Sequence, residues 1–293
     1  MRQVSVPSAA AALLVVGLCL ASSASASVGF TNCTRQLING FVPDGPAGNV
    51  KICRDGEIAI AYDPVMVNPA YSAYYVTPED LTHVISGRDS FYADPDLKAL
   101  GIKQASDYSD AFNESWNRGH LCPNHILSYS EAGKHATFTM ANVAPQAAYF
   151  NQHPWNELES KIFDWVRDHE PLHIITAVAY KNRTTPRRSF DDISVPDYYV
   201  KVMCDVKAGQ SVAFVGDNNG DGGDYVFEMR TVADAERIYG GWLLPEAECD
   251  VFHVDKTHWW SEATLRRLKV RVSIDLSPVL LPPRIVRPKQ QQL

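Results

Sequence analysis

The chain has 293 residues, 45% of them hydrophobic and 21% charged, with a formal net charge of −7. This length holds one large domain or two small ones, and the balance of apolar and charged residues supports a folded core and excludes wholesale disorder. An acidic chain does not bind nucleic acid through bulk charge, because that affinity comes from phosphate contacts, so any such binding must be local.

In chain order, Arg2, the apolar run "AAAALLVVGLCLA" and the small residues Ala24 to Ala26 predict a secretory signal over residues 1–26. The run is too short and wrongly flanked for a membrane anchor. The mature protein is therefore expected to be soluble, exported to the extracellular space and without a membrane partner. Cys19 leaves with the signal, and Cys33, Cys53, Cys122, Cys204 and Cys249 enter an oxidising compartment. Five is odd, so one is free or pairs between chains. Neighbourhood pairs Cys33 with Cys53 and Cys204 with Cys249, which leaves Cys122. Three sequons, at Asn32, Asn113 and Asn182, fit glycosylation of a secreted protein.

"FVPDGPAGN" (41–49) reads as a loop inside the first disulfide. "EIAIAYDPV" (57–65) alternates as a strand, and "TFTMANVAP" (137–145) reads as a strand ending at Pro145. The segment 153–170 predicts a helix with Trp155, Leu158, Ile162, Trp165 and Val166 on one stripe. Pro154 suits its first turn, Glu157 and Glu159 suit the positive end of its dipole, and Pro171 stops it. "LHIITAVAY" (172–180), "DYYVKVMCDV" (197–206) and "QSVAFVG" (210–216) predict further strands. A second helix is expected over 261–269 with Ser261 as N-cap. Strands and helices without regular alternation indicate an α+β fold. The expected divisions are a disulfide-closed segment (27–56), a main domain (57–280) and a polar tail (281–293). The basic clusters "KNRTTPRR" (181–188) and "RRLKVR" (266–271) are either solvated faces or local phosphate contacts.

"SWNRGHLCPNH" (115–125) concentrates two histidines, an arginine and a cysteine. It reads as a zinc site, a catalytic loop or an ordinary turn. A zinc site would draw on His120, Cys122 and His125, with His135 or His153. Structural zinc sites pair their ligands at two short spacings, and only one crowded cluster is present. Phosphodiester hydrolysis needs a base for water, a cation against the phosphate and stabilisation of the leaving oxygen. A neutral histidine beside an arginine meets two of these needs. "NQHPWNELE" (151–159) adds an amide oxygen, Asn151, and a carboxylate, Glu159, which suit a hard cation that keeps its waters. On an ideal helix the two lie about 80° apart and roughly 12 Å along the axis, so Glu159 would act through a water. Taken singly, His120 is a structural histidine, Asn151 a helix cap, His125 and His153 surface groups, and Trp155 core. "DNNGDGGDYVFE" (217–228) places Asp217, Asn219, Asp221, Gly222 and Glu228 on a calcium-loop pattern. The preceding strand and Asp224 at a normally apolar position favour a hairpin loop, so Ca²⁺ is not expected there.

The segments "NRGHLCPN", "ANVAPQ" (141–146) and "NQHPWNELE", in this order, resemble the DNA/RNA non-specific endonucleases. "FYADPDL", "HIITAVAY" and "ISVPDYYVKV" extend the likeness from about Tyr62 to about Trp242. The resemblance implies a ββα-metal finger on a central, mostly antiparallel sheet flanked by helices. It also implies hydrolysis of DNA and RNA with little sequence specificity and 5′-phosphate ends, dependent on Mg²⁺, with Mn²⁺ as a substitute, and no obligate protein partner. By position, His120 is the general base, Asn151 the direct ligand of the ion, Glu159 the residue acting on a water of its shell, and Arg118 the phosphate-facing arginine. Asn117, Arg187 and Arg188 are further candidates for substrate contact. Two positions depart from the pattern. Asn117 stands where the family often has aspartate, and Tyr92 where many members carry a phosphate-binding arginine, a role left to Arg88, Arg183, Arg187 or Arg188. These departures support a second reading, an impaired member that binds extracellular nucleic acid or a protein partner without cutting.

Overall fold

The computed structural model describes residues 29–105, 115–190, 192–219 and 227–273. The signal segment, the C-terminal tail, Asn113 and the stretch Asp221 to Asp224 lie outside the described residues.

The strands are β1 (Val50–Arg54), β2 (Ile58–Asp63), β3 (Asn68–Val76), β4 (Trp116–His120), β5 (Val143–Ala147), β6 (Leu172–Ala179), β7 (Ser189–Phe190), β8 (Ile193–Ser194), β9 (Tyr198–Asp205), β10 (Gln210–Asp217), β11 (Phe227–Arg230) and β12 (Val270–Val272). The helices are α1 (Pro95–Ala99), α2 (Asn124–Leu127), α3 (Glu131–Thr137), α4 (Ala148–Phe150), α5 (Asn156–Asp168), α6 (Val232–Tyr239), α7 (Lys256–Trp259) and α8 (Glu262–Arg267). The main sheet runs β1-β2-β3-β6-β9-β10-β11-β12, antiparallel except for the β11–β12 pair. The fold is α+β with a large, mostly antiparallel sheet, as expected.

Successive side chains on a strand face opposite ways, and here both faces are covered. Ile58, Ile60 and Tyr62 of β2 share one core with Tyr199 and Met203 of β9, and with Leu158, Ile162, Trp165 and Val166 of α5. Ala59 and Ala61 share the other core with Val200, Val202 and Cys204. Burial on both sides explains why these strands read as unbroken apolar runs rather than clean alternations. The second core also holds both disulfides, Cys33–Cys53 and Cys204–Cys249, while the free Cys122 is buried in the first. The expected pairing is the one observed. The 27–56 segment supplies β1, which pairs with β2 from Val50↔Tyr62 to Arg54↔Ile58.

Two expected elements need correction. Residues 137–145 are not one strand. Thr137 ends α3, whose N-cap Ser130 accepts from the Gly133 amide, and β5 begins only at Val143 and runs through Pro145 to Ala147. Pro145 is tolerated because β5 pairs only with β4, which leaves a side with no ladder bond to lose. The helix expected from residue 153 starts earlier, at Ala148, so Pro154 is not in its first turn. Residues Asn151–Trp155 form a π-helical turn closed by the Asn156 amide donating to the Asn151 carbonyl. Pro154 offers no N–H to the Phe150 carbonyl four residues back and would crowd it, and the wider turn relieves both problems. The helix expected over 261–269 is α8, capped by Ser261 accepting from the Thr264 amide.

Candidate active site

β4 and β5 pair antiparallel, with His120↔Val143, Gly119↔Ala144 and Asn117↔Gln146, and the chain then runs directly into the helix of Ala148 to Asp168. This is a strand–strand–helix unit on the α5 side of the main sheet. Gly119 lets it pack closely. A Cβ there would lie 2.5 Å from Gln146 Cβ and 2.7 Å from the Tyr199 hydroxyl oxygen. That hydroxyl donates to the Ala144 carbonyl at 2.9 Å and ties the unit to β9.

His120 and Arg118 share one face of β4 by the two-residue period. The imidazole packs against Phe91 (ring centroids 5.1 Å apart) and edge-on to Phe138 (5.4 Å). The Arg118 guanidinium also lies over Phe91, 5.4 Å from its centroid. His120 Nε2 is buried and has no hydrogen-bond partner. Burial, with the Arg88 and His125 charges adding to it, pushes the His120 pKa down to about 3, so the ring is neutral. Among the described residues the aromatic walls, not a carboxylate, hold it in place.

Asn117, next to Arg118, faces the helix. Its Oδ1 accepts from Asn151 Nδ2 at 3.0 Å and from Gln152 Nε2 at 2.9 Å. With its NH₂ group committed, Asn151 has its own Oδ1 left as an acceptor. A hard cation held by a single neutral oxygen keeps most of its waters, and this donor fits that coordination. The π turn also changes the relation of Asn151 to Glu159. One extra residue in that turn makes the eight-residue step span like seven α-helical residues, within about 20° of one face. This replaces the 80° offset expected from an ideal helix. Glu159 is buried, and its Oε1 accepts from Lys201 Nζ at 3.1 Å. Lys201 is fully buried on β9, bonded also to the Tyr74 hydroxyl at 3.3 Å and stacked 4.9 Å over Trp155.

The zinc alternative does not assemble. His135 pairs with Asp55 at 3.3 Å, His153 stands exposed against Tyr149, and among the described residues no three His, Cys, Asp or Glu side chains gather to hold a metal. His125 is half-buried beside Phe163. In the calcium-like loop, Asp217 ends β10 and Glu228 lies on β11, bonded to Arg230, so strands flank it. Arg187 and Arg188 are exposed and line a groove with Trp116, Asp197 and Asn218, Arg188 lying 5.0 Å over the Trp116 ring. Asn32 and Asn182 are exposed, and Asn182 caps its own turn by accepting from the Thr184 and Thr185 amides. Sequence reasoning missed Phe91, Phe138 and Lys201. Lys201 gave no signal because a lysine in a strand reads as solvent-facing until both faces are known to be buried.

The polar site thus sits on a strand–strand–helix unit against a large antiparallel sheet, the ββα arrangement expected from the sequence. The family model described as DNA/RNA non-specific endonuclease matches residues 43–244, and the chain belongs to that family. The chain is similar to the protein named endonuclease G, mitochondrial, from Homo sapiens, at 25% identity over 163 residues, 52% of this chain and 54% of that one. The Bos taurus protein of the same name is 25% identical over 179 residues, 57% and 58% of the two chains. Nuclease C1 of Cunninghamella echinulata var. echinulata is 25% identical over 122 residues, 39% and 47%. The chain thus spans about half the length of the curated relatives it matches.

Proposed function

We propose that the protein is a secreted, Mg²⁺-dependent endonuclease that hydrolyses phosphodiester bonds of DNA and RNA with little sequence specificity. The observation that carries this reading is the 3.0 Å bond from Asn151 to Asn117, which joins the two motif segments beside an unpartnered, neutral imidazole. His120 takes a proton from the attacking water as its oxygen bonds to phosphorus. The P–O3′ bond breaks, the phosphate stays on the 5′ side, and the 3′ oxygen leaves to be protonated by solvent. Arg118 faces the phosphate, and Glu159, held by Lys201, orients water on the Asn151 side. A divalent cation at Asn151 supplies charge neutralisation at the phosphate. Secretion rests on the signal-like leader, and it agrees with two disulfides and with exposed sequons at Asn32 and Asn182.

The test uses purified mature protein, supercoiled plasmid and an RNA substrate, with Mg²⁺, with Mn²⁺ and with chelator. Wild type should cut both and be silenced by chelation. His120→Ala should lose about 10²–10⁴ in rate while keeping its fold, and Asn151→Ala should be nearly inactive. Binding without cutting by the wild type, across divalent ions and pH, would hand the case to the impaired, binding-only reading.

A further inference from the structure

We propose that Arg88 is a substrate-binding arginine of this site, its guanidinium contacting a non-bridging phosphate oxygen of the polynucleotide at His120. The inference rests on the nuclease reading and deepens it.

The segment that carries Arg88 is pinned. The Ile85 amide donates to the Ser128 carbonyl at 2.6 Å. Lys134 Nζ donates to the Ser86 carbonyl at 3.1 Å and pairs with Asp89 at 3.6 Å, and Asn124 Nδ2 donates to the Gly87 carbonyl at 3.4 Å. Helices α2 and α3 therefore fix the backbone on both sides of Arg88. The exposed guanidinium lies 5.8 Å over Phe138, whose ring is the edge-on wall of His120. Its positive charge is felt at the imidazole, where it adds to the effect of burial. Arg118 stands in the corresponding place over Phe91, and Phe91 and Phe138 touch at 5.3 Å. Two guanidiniums are thus seated on the two rings that enclose the base. Arg88 has no ion-pair partner among the described residues, so no carboxylate has to be displaced before it meets a phosphate.

The other candidates are placed elsewhere. Tyr92 stacks on His135 (centroids 4.4 Å, planes 12° apart), and its backbone bonds Phe138 and Met140, so it braces the Phe138 wall. Arg183 is committed to Asp63. Arg188 lies over Trp116, four residues along β4 from His120, roughly 13 Å at strand rise, and with Arg187 suits a neighbouring phosphate.

The experiment compares wild type with Arg88→Ala, Arg88→Lys, Arg187→Ala and Arg188→Ala. It reads kcat/KM on a fluorescent DNA duplex with Mg²⁺, Tm, and the salt dependence of duplex binding in chelator by anisotropy. Arg88→Ala should lower kcat/KM by roughly 10- to 100-fold, the scale of one charge-assisted hydrogen bond, with Tm unchanged. Its log–log salt slope should fall by about one, as for one lost phosphate contact. Arg88→Lys should recover only part, because an ammonium lacks the guanidinium fork. Wild-type kcat/KM and slope in Arg88→Ala would overturn the proposal, as would a loss confined to Arg187→Ala or Arg188→Ala. Wild type that binds without cutting would refute the nuclease reading alone, because the salt slope still decides Arg88. Wild type that does neither would refute both.

Discussion

Lys201 Nζ lies 3.1 Å from Glu159 Oε1 with the lysine wholly shut off from solvent. The pair ties the middle of the sheet to the helix that carries Asn151. Breaking one side of a buried pair leaves an uncompensated charge, a cost of about 3–5 kcal/mol. Lys201→Met should therefore be strongly destabilised in urea melts, whereas Lys201→Met with Glu159→Gln should recover much of the loss. A double variant as unstable as the sum of the singles would show that the two residues act independently.

Asn117 is predicted to set the cation requirement by orienting Asn151. Asn117→Ala frees the Asn151 amide to rotate, and the Mg²⁺ concentration for half-maximal rate should rise by about 10- to 100-fold, the range for loss of an outer-shell partner. Asn117→Asp keeps an acceptor for both amides and should stay near wild type or improve on it. An unchanged Mg²⁺ midpoint in Asn117→Ala would remove Asn117 from this role.

Gly119→Ala should damage both stability and rate. Its methyl would overlap Gln146 and the Tyr199 hydroxyl, both buried. Overpacking of this kind costs about 1–3 kcal/mol, and relief by moving β4 also moves His120. Wild-type Tm and activity in this variant would contradict the observed packing.

Two histidines make the fold acid-labile. Burial pushes His173 down to about 4 and His120 to about 3, against 6.5 in the unfolded chain. Between those values the unfolded chain binds more protons than the folded one. Their contribution is complete above pH 6.5 and is lost as pH falls toward 4 and then 3, at most about 1.4 kcal/mol per pH unit for each group. Urea midpoints measured from pH 4 to 8 should show this slope, and His173→Gln should flatten it. A pH-independent midpoint would count against both shifts.

Both disulfides lie on the sheet face away from His120. Chain-entropy arguments assign about 3 kcal/mol to the 20-residue closure and about 4 kcal/mol to the 45-residue one. Cys204→Ser with Cys249→Ser should lower stability on that scale, yet at a temperature where the variant is still folded kcat should match wild type. A large loss of kcat in folded protein would show that strain crosses the sheet.

What the sequence made legible was set by how local each signal is. β6, β9 and β10 announce themselves as apolar runs, and the α5 stripe as a periodicity. β3 did not, because it opens "NP" and is dense in tyrosine. Its Pro69 is accepted opposite Tyr62, where the β2–β3 register shifts. His120 and Asn151 were legible through the order of their motifs. Phe91 and Phe138 were not, since aromatic walls leave no spacing rule between segments tens of residues apart. Lys201 required knowledge of what packs on β9, which only the tertiary fold supplies.

The π turn at Asn151–Trp155 has a consequence for chain length rather than chemistry. It behaves as a one-residue spacer that sets the rotational phase of everything downstream. Deleting Gln152 would leave a seven-residue step that an ordinary helix spans in the same phase, whereas inserting a residue there would swing α5 by about 100° relative to Asn151, taking either its apolar stripe off the sheet or Asn151 out of the site. No side-chain substitution reproduces that rotation. The segment should therefore tolerate changes of residue at Gln152 or His153 far better than an insertion beside them.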